Sequence, residues 1–370
     1  MSFPRHRIEF LDWLRGLAAI VMLQGHTFNS FIAPERRDHA VYILSQFFGG
    51  QAAAIFLFLT GITYGLGMNK REDLPAWRRL TGSLRRARYL LLLAFLFRLQ
   101  MWLFALPGQP WTDLLRVDAL NVMGATALAL SALALFRGLR RVRWAVAAGI
   151  ALAALSPIMS DLETGGIPGP VRDYFVPSAA AFSVFPWGSY LAFGLAAGSA
   201  IPLVRGGWSH VVQGAALCGF GLVMAGRYFG NLPFSVYPHA DFWLDSPALV
   251  ACKLGVTLLL GAGAFFWTEY FSQGWSWVQL LGTTSLAVYW VHVELVYGWW
   301  FTAFKERLTV WQCVAASAAL IVLMVAMSAA IRRLPWKEAL YSRFKKTDHN
   351  TSVHDGETAK AAWISPTTCE

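Results

Sequence analysis

The sequence has little charge and little cysteine. Only 14% of its 370 residues are Asp, Glu, Lys or Arg, whereas a soluble domain carries about 25%. It has four cysteines, and their spacing matches neither a metal site nor a disulfide framework. These shortages exclude a large soluble domain and a small protein held together by disulfides.

Hydrophobic residues are abundant instead. They make up 56% of the chain, which includes 17 Trp and 26 Phe, and the mean hydropathy is +0.46. Aromatic residues are typical of the two interfaces of a bilayer. The composition therefore predicts an all-α, polytopic integral membrane protein built as a helical bundle.

Runs of about 20 apolar residues predict membrane-spanning helices. Ten such runs occur, at residues 10–32, 41–68, 87–106, 117–136, 144–160, 184–204, 208–228, 248–268, 279–302 and 310–331. The second run is long and interrupted by glycines, and the fifth is the shortest. We expect a transmembrane domain over residues 1–335 and a disordered polar tail over residues 336–370.

The basic residues predict the orientation of these spans. With the N-terminus in the cytoplasm, the cytoplasmic segments contain 21 Lys and Arg and the outer segments contain 7. This bias places both termini in the cytoplasm, and the net charge of +10 is then a topology signal rather than a nucleic-acid interface. Two outer connections, residues 161–183 and 229–247, have the composition of a lid or rim over an outward-facing cavity.

Ionisable residues interrupt the first predicted span. Asp12, Arg15 and His26 lie within a segment that is otherwise apolar, and such groups are costly in lipid unless they serve a function. Arg15 and His26 are eleven residues apart, so a helix places them on one face, roughly 16 Å apart along its axis. Their shared face is the strongest functional signal in the sequence.

Further ionisable residues fall in other spans at a similar depth. Together with His26, five of them lie in the predicted outer half of the membrane: Arg98, Asp118, Lys253, His292 and Glu294. Six such groups at one depth favour a shared polar cavity over six independent exceptions.

Structural roles compete with this interpretation at each position. The side chain of Lys253 is long enough to reach the outer interface, and Asp118 suits the N-cap of its helix. Arg98 has Asp118 or Glu294 as a candidate ion-pair partner. His292 also suits a histidine that is hydrogen-bonded within a bundle.

The chemistry that such a cavity supports centres on an imidazole. The ring of His26 can act as a general base or as a covalent acyl carrier, with Glu294, Asp118 or His292 as supporting catalytic groups. Arg15 can bind phosphate through its planar guanidinium, and we group it with Asp12 and Arg98 as donor-binding residues. A long donor such as an acyl-coenzyme A suits the predicted separation, although spacing alone does not distinguish it from a proton relay.

Several segments resemble membrane acyltransferases. The opening RIEFLDWLRGLAAIVMLQGH, residues 7–26, contains the Arg-x10-His spacing of the acyltransferase type 3 family. Its DWLRG motif resembles the corresponding segment of bacterial proteins related to the catalytic domain of heparan-alpha-glucosaminide N-acetyltransferase. Four further segments fit the same order, FGGQAAAIFLFLTG at 48–61, DALNVMG at 118–124, FPWG at 185–188 and SLAVYWVH at 285–292.

The resemblance implies transfer of an acetyl or other acyl group from cytoplasmic acyl-coenzyme A to an acceptor on the far side. By analogy with type 3 enzymes, His26 is the catalytic histidine and Arg15 assists donor binding. In the heparan-type enzymes the histidine lies slightly later, and His39 is then the nearest match. The expected location is a bacterial inner membrane, and the expected acceptor is a glycan, an amino sugar or another small molecule.

Other functions are compatible with the same sequence. Ten spans with charges near the midplane are equally typical of a secondary transporter or exporter. A third hypothesis is a scaffold for polysaccharide assembly with an inactive site. The acyltransferase hypothesis needs no metal and no nucleic acid, and it leaves homo-oligomerisation open.

Overall fold

A computed structural model of the protein describes residues 8–105, 108, 110–162, 165–179, 181–204, 207–237, 239–271 and 274–334. The chain divides into two compact units, Met1–Val325 and Ala326–Glu370. In the second unit, the described residues are the final turns of the last helix and Leu334. The predicted tail, residues 336–370, lies outside the described residues.

The described residues are helical, and no β-strand occurs among them. Thirteen α-helices follow one another in the order α1 Glu9–Phe31, α2 Ala40–Asn69, α3 Ala76–Phe104, α4 Ala119–Leu130, α5 Gly138–Ala154, α6 Ser156–Ser160, α7 Gly169–Phe175, α8 Val184–Ala200, α9 Trp208–Gly230, α10 Pro247–Tyr270, α11 Trp277–Thr283, α12 Ser285–Tyr297 and α13 Val310–Arg333. Five short 3₁₀ segments lie between them.

In the described part of the chain, six helices are long and apolar enough to cross a membrane: α2, α3, α8 with its 3₁₀ extension to Leu203, α9, α10 and α13. They confirm a polytopic helical membrane protein. The predicted fourth span is a shorter apolar helix, Ala119–Leu135. The predicted first span forms nearly all of α1, whose length is 23 residues. Its ionisable residues lower its hydropathy, so α1 is not one of the six.

Two predicted spans differ from the helices that form. The fifth was expected at residues 144–160, whereas α5 covers Gly138–Ala154 and a separate α6 begins at Ser156. Pro157 lies at the start of α6, and because proline has no backbone N–H and crowds the preceding turn, it interrupts the longer helix.

The ninth predicted span, residues 279–302, is broken into α11 and α12. The hydroxyls of Thr283 and Thr284 both donate to the carbonyl oxygen of Leu280, each at 2.9 Å. Such side-chain hydrogen bonds compete with the regular helix ladder. Helix α12 then ends at Tyr297 with Gly298 as its cap, so residues 298–309 contain no α-helix and include the 3₁₀ turn Thr302–Phe304.

Glycine contacts hold α1 close to its neighbours. A Cβ atom on Gly282 of α11 would lie 1.8 Å from the carbonyl oxygen of Asp12, and one on Gly16 would lie 1.8 Å from that of Val278. Toward the other end, a Cβ on Gly25 would lie 2.8 Å from the Cα of Gly49 on α2. Only glycine permits these approaches, so α1 has little freedom to slide or rotate.

Candidate active site

His26 and His292 meet between α1 and α12. The Nδ1 atom of His26 lies 3.0 Å from the Nε2 atom of His292, and the two rings are stacked with centroids 5.2 Å apart. His292 has no exposed surface, and its Nδ1 lies 2.7 Å from the carbonyl oxygen of Val288. The structure thus brings together two predicted site residues that are 266 positions apart.

Beyond this pair, the C-terminal ends of α1 and α12 contact each other. The ring of Tyr297 lies edge-on to His26 with centroids 5.2 Å apart, and its hydroxyl donates to Asn29 Oδ1 at 3.1 Å. The Ser30 hydroxyl donates to the Val296 carbonyl oxygen at 2.8 Å. Sequence reasoning missed Tyr297, because its separation of five residues from His292 gives no common helical face.

A second polar group lies next to α1 on α2. The Gln46 amide donates to the carbonyl oxygen of Gly25 at 3.1 Å, and Gly25 directly precedes His26. Further along α2, the Gly50 carbonyl oxygen accepts a hydrogen bond at 3.1 Å from the ammonium of Lys253, which belongs to α10. The ammonium of Lys253 is therefore held against the α2 backbone.

The ammonium of Lys253 also lies over an aromatic ring. Its Nζ atom is 4.8 Å from the centroid of the Trp187 ring on α8, within the range of a cation–π interaction. The backbone of the same lysine is held by Gln51, whose amide donates to the Lys253 carbonyl oxygen at 2.7 Å and to Thr257 Oγ1 at 2.8 Å. These contacts join α2, α8 and α10.

Asp118 and Arg98 form an ion pair with each other rather than with His26. Asp118 is the N-cap of α4, where its carboxylate accepts from the backbone N–H of Asn121 at 3.0 Å. The other carboxylate oxygen lies 3.0 Å from Arg98 Nε. Both structural alternatives for this pair are therefore present, and the predicted role of Arg98 in donor binding receives no support from its contact.

The connection that precedes α8 contacts α4, the helix that Asp118 caps. The Asn121 amide donates to the hydroxyl of Tyr174 at 3.2 Å, and Tyr174 belongs to α7 within the connection of residues 161–183. Partial burial raises the pKa of the Tyr174 phenol, which therefore stays protonated at neutral pH. This hydrogen bond anchors the predicted rim at one point.

Glu294 lies away from the histidine pair. It is two residues from His292 on α12, so the two side chains point about 200° apart around the helix axis. Glu294 is only 5% exposed, its Oε1 packs against Gly298, and its Oε2 has no hydrogen-bond partner among the described residues. The expectation that this carboxylate orients the imidazole is not supported, since His292 occupies that place.

Arg15 lies toward the other end of α1, among further cations. It pairs with Asp12 at 3.1 Å, and its side chain is 24% exposed. Arg15 and Arg71 are both close enough to Arg86 to repel its guanidinium. Arg86 is held by Thr63, to whose carbonyl oxygen it donates at 3.1 Å and to whose hydroxyl it donates at 2.8 Å.

Sequence reasoning missed Arg86, although the density of basic residues in the connection before α3 was visible. The direction in which each arginine points could not be deduced from that run. The three guanidiniums of Arg15, Arg71 and Arg86 form a cationic cluster that suits a phosphorylated ligand.

His39 contacts the start of α2 rather than the histidine pair or the cationic cluster. It is exposed and forms the N-cap of α2, where its Nδ1 accepts from the backbone N–H of Val41 at 3.2 Å. A helix cap explains its position without a catalytic role. Over the described ranges, no group of three or more His, Cys, Asp and Glu side chains could hold a metal ion.

Two comparisons with known proteins bear on the family of this chain. A search among curated proteins found no significant match, and the closer likeness to heparan-type enzymes is not confirmed. Residues 8–333 match the family model of the acyltransferase domain of type 3. The match spans most of the chain, including both ends of α1 and the histidine pair, and the chain belongs to the type 3 acyltransferase family.

Proposed function

We propose that this membrane acyltransferase moves an acyl group from a cytoplasmic acyl-coenzyme A to an acceptor on the outer side of a bacterial inner membrane. Both termini would then be cytoplasmic. The observation that carries the proposal is α1 itself, which has a cationic cluster toward one end and a histidine pair roughly 16 Å along its axis. A long donor with a charged head and a reactive tip fits between them.

The cationic cluster is suited to the donor's phosphates. Arg15 and Arg86 present guanidiniums, which bind phosphate oxygens in pairs of hydrogen bonds. The contact of Arg86 with Thr63 orients its guanidinium in advance. Arg15 is held by Asp12, so Asp12 acts on the donor through Arg15.

His26 is suited to the transfer step. The acceptor hydroxyl or amine attacks the thioester carbonyl carbon while Nε2 of His26 takes its proton. The carbon–sulfur bond then breaks, and the proton on Nε2 passes to the departing coenzyme A sulfur. In the alternative route, Nε2 itself attacks the thioester carbonyl carbon, the carbon–sulfur bond breaks and coenzyme A leaves as the thiolate. The acceptor then takes the acyl group from the acyl-imidazole, and its proton passes to the thiolate.

The acceptor is expected to be a glycan or amino sugar. The aromatic residues near the outer ends of the helices, such as Trp187 and Tyr297, suit a sugar ring, and an outer connection borders them. His39 is the second candidate for the catalytic histidine, on the heparan-type resemblance.

The test uses the full chain purified in detergent with radiolabelled acetyl-coenzyme A. We expect saturable binding and slow thioester loss in the wild type. His26→Ala should retain binding and lose turnover, while Arg15→Gln should weaken binding. His39→Ala tests the second candidate.

Two outcomes contradict the proposal. Full turnover in both His26→Ala and His39→Ala excludes the histidine mechanism. Neither binding nor thioester loss in folded protein, with acetyl and longer acyl donors, excludes acyl-coenzyme A as the donor. Label retained on denatured wild-type protein but not on His26→Ala would select the acyl-imidazole route.

A further inference from the structure

We infer that His292 is a positioning residue, which holds His26 in the tautomer that leaves Nε2 free to react. This inference rests on the proposed function of His26. The first step concerns His292 alone: its Nδ1 lies 2.7 Å from the carbonyl oxygen of Val288. A carbonyl oxygen only accepts hydrogen bonds, so Nδ1 of His292 must carry a proton.

The second step passes this constraint to His26. A neutral imidazole with a proton on Nδ1 has a lone pair on Nε2. The Nε2 of His292 therefore accepts, and the Nδ1 of His26, at 3.0 Å, must donate. In the neutral His26 ring the lone pair then lies on Nε2, which is the nitrogen that the transfer step needs.

The surroundings favour a neutral His292. The residue has no exposed surface, and a buried cation needs a compensating anion. The two carboxylates nearest in the sequence pattern are engaged or turned away: Asp118 pairs with Arg98, and Glu294 lies on the opposite side of α12. The chain of hydrogen bonds also ends at Val288, whose carbonyl oxygen is no base.

The first experiment reads the tautomer without turnover. The protein is labelled with ¹⁵N-histidine in lipid bilayers, and His26 is assigned by comparison with His26→Gln. We expect a protonated Nδ1 and an unprotonated Nε2 on His26 in the wild type, and a mixture of tautomers in His292→Leu. A protonated Nε2 on neutral His26 in the wild type would overturn the inference.

The second experiment measures transfer. His292→Leu should lower the turnover of acetyl-coenzyme A by roughly 100-fold or more and leave its KM unchanged, because the donor phosphates bind at the other end of α1. His292→Gln retains an acceptor for the His26 N–H and should recover part of the rate. His210→Gln, at an exposed histidine in the first turn of α9, is the matched control.

The outcomes separate the two proposals. If His26→Ala keeps its activity, the proposed function fails while the tautomer result stands. If His26→Ala is inactive but folded His292→Leu turns over at the wild-type rate, the positioning role fails alone.

A different surface supports a second inference: the groove between α3 and α4 binds an anionic phospholipid. The groove has a volume of about 440 Å³ and is lined by Thr81, Leu84, Arg85, Arg88, Leu91 and Leu128. Thr81, Arg85 and Arg88 give α3 a polar edge in which Leu84 is interspersed, Leu91 continues the groove one turn beyond Arg88, and Leu128 of α4 forms part of its other wall. This order matches a phosphate headgroup followed by an acyl chain.

The charges of the groove favour this occupant. Arg85 and Arg88 are exposed, and neither has an ion-pair or hydrogen-bond partner among the described residues, unlike Arg86 on the inner face of the same helix. Basic side chains near a membrane surface attract anionic lipids.

Native mass spectrometry of the detergent-purified chain tests the second inference with phosphatidylglycerol, phosphatidylcholine and inorganic phosphate as probes. We expect preferential binding of phosphatidylglycerol, and weakening by about tenfold or more in Arg85→Gln/Arg88→Gln. Arg140→Gln/Arg143→Gln removes the same charge at the same spacing from exposed positions of α5 and should change nothing.

A third variant probes the apolar part. Leu128→Trp fills the groove without changing charge and should also weaken lipid binding. Equal lipid binding by all variants would overturn the inference. So would competition by inorganic phosphate alone, or loss of acetyl-coenzyme A binding without loss of lipid, which would assign these arginines to a free phosphate or to the donor.

Discussion

At the scale of single residues, the buried polar groups divide into those that serve the histidine pair and those that satisfy each other. Asp118 and Arg98 were candidates for the site, yet each contacts the other at 3.0 Å. Their side chains are only 8% and 15% exposed, so removing one charge leaves the other buried without compensation. The pair is expected to contribute to stability more than to chemistry.

We therefore predict that Asp118→Asn destabilises the protein by roughly 3 kcal/mol, because Asn retains the helix cap but leaves Arg98 unpaired. The double variant Arg98→Met/Asp118→Asn should recover most of this loss, and Asp118→Ala should lose a further 1 kcal/mol or so from the cap. Thermal unfolding in detergent measures all three. Equal stability of Asp118→Asn and wild type would show that the ion pair contributes nothing.

At the scale of elements, the site depends on the placement of α1 between α2, α11 and α12. The glycine contacts at Gly16, Gly25 and Gly282 press its backbone against those of α11 and α2. Since His26 reaches His292 only from this position, the packing of small residues decides whether the two rings meet. The break at Thr284 gives α12 a direction independent of α11.

We predict that Gly282→Ala strongly destabilises the protein and abolishes acyl transfer, because its new methyl group would lie 1.8 Å from the backbone oxygen of Asp12. Gly263→Ala is the matched control, since its Cβ meets nothing within 4 Å. The control should be neutral or more stable by up to about 1 kcal/mol, the gain of Ala over Gly in a helix. Thermal unfolding and thioester loss are the measurements, and equal behaviour of both variants would refute the packing argument.

At the scale of the whole molecule, the sidedness of the membrane orders the proposed reaction. The cationic cluster must face the compartment that supplies the donor, and the histidine pair must be reachable by the acceptor. The distribution of Lys and Arg predicts cytoplasmic placement of the connection between α2 and α3 and outer placement of the connection between α1 and α2.

This topology is open to direct labelling. In a chain whose four cysteines are replaced, Arg36→Cys should react with a membrane-impermeant maleimide in intact cells. Arg78→Cys should react only after the membrane is opened. Because both positions are exposed, a reversed pattern would invert the orientation and remove the cytoplasmic donor from the proposed function.

The features that depend on local patterns could be predicted from the order of the amino acids alone. Hydropathy indicated a polytopic helical protein, the helical period placed Arg15 and His26 on one face, and residue preference favoured Asp118 as a cap. Each follows from neighbours a few positions apart. The features that depend on contacts between distant residues required the folded protein.

Three outcomes show that dependence. His26 pairs with His292 rather than with a carboxylate, Lys253 turns toward the α2 backbone, and Arg98 pairs with Asp118 rather than with Glu294. In each case the deciding partner lies on another helix, and no local period specifies which faces of two helices will meet.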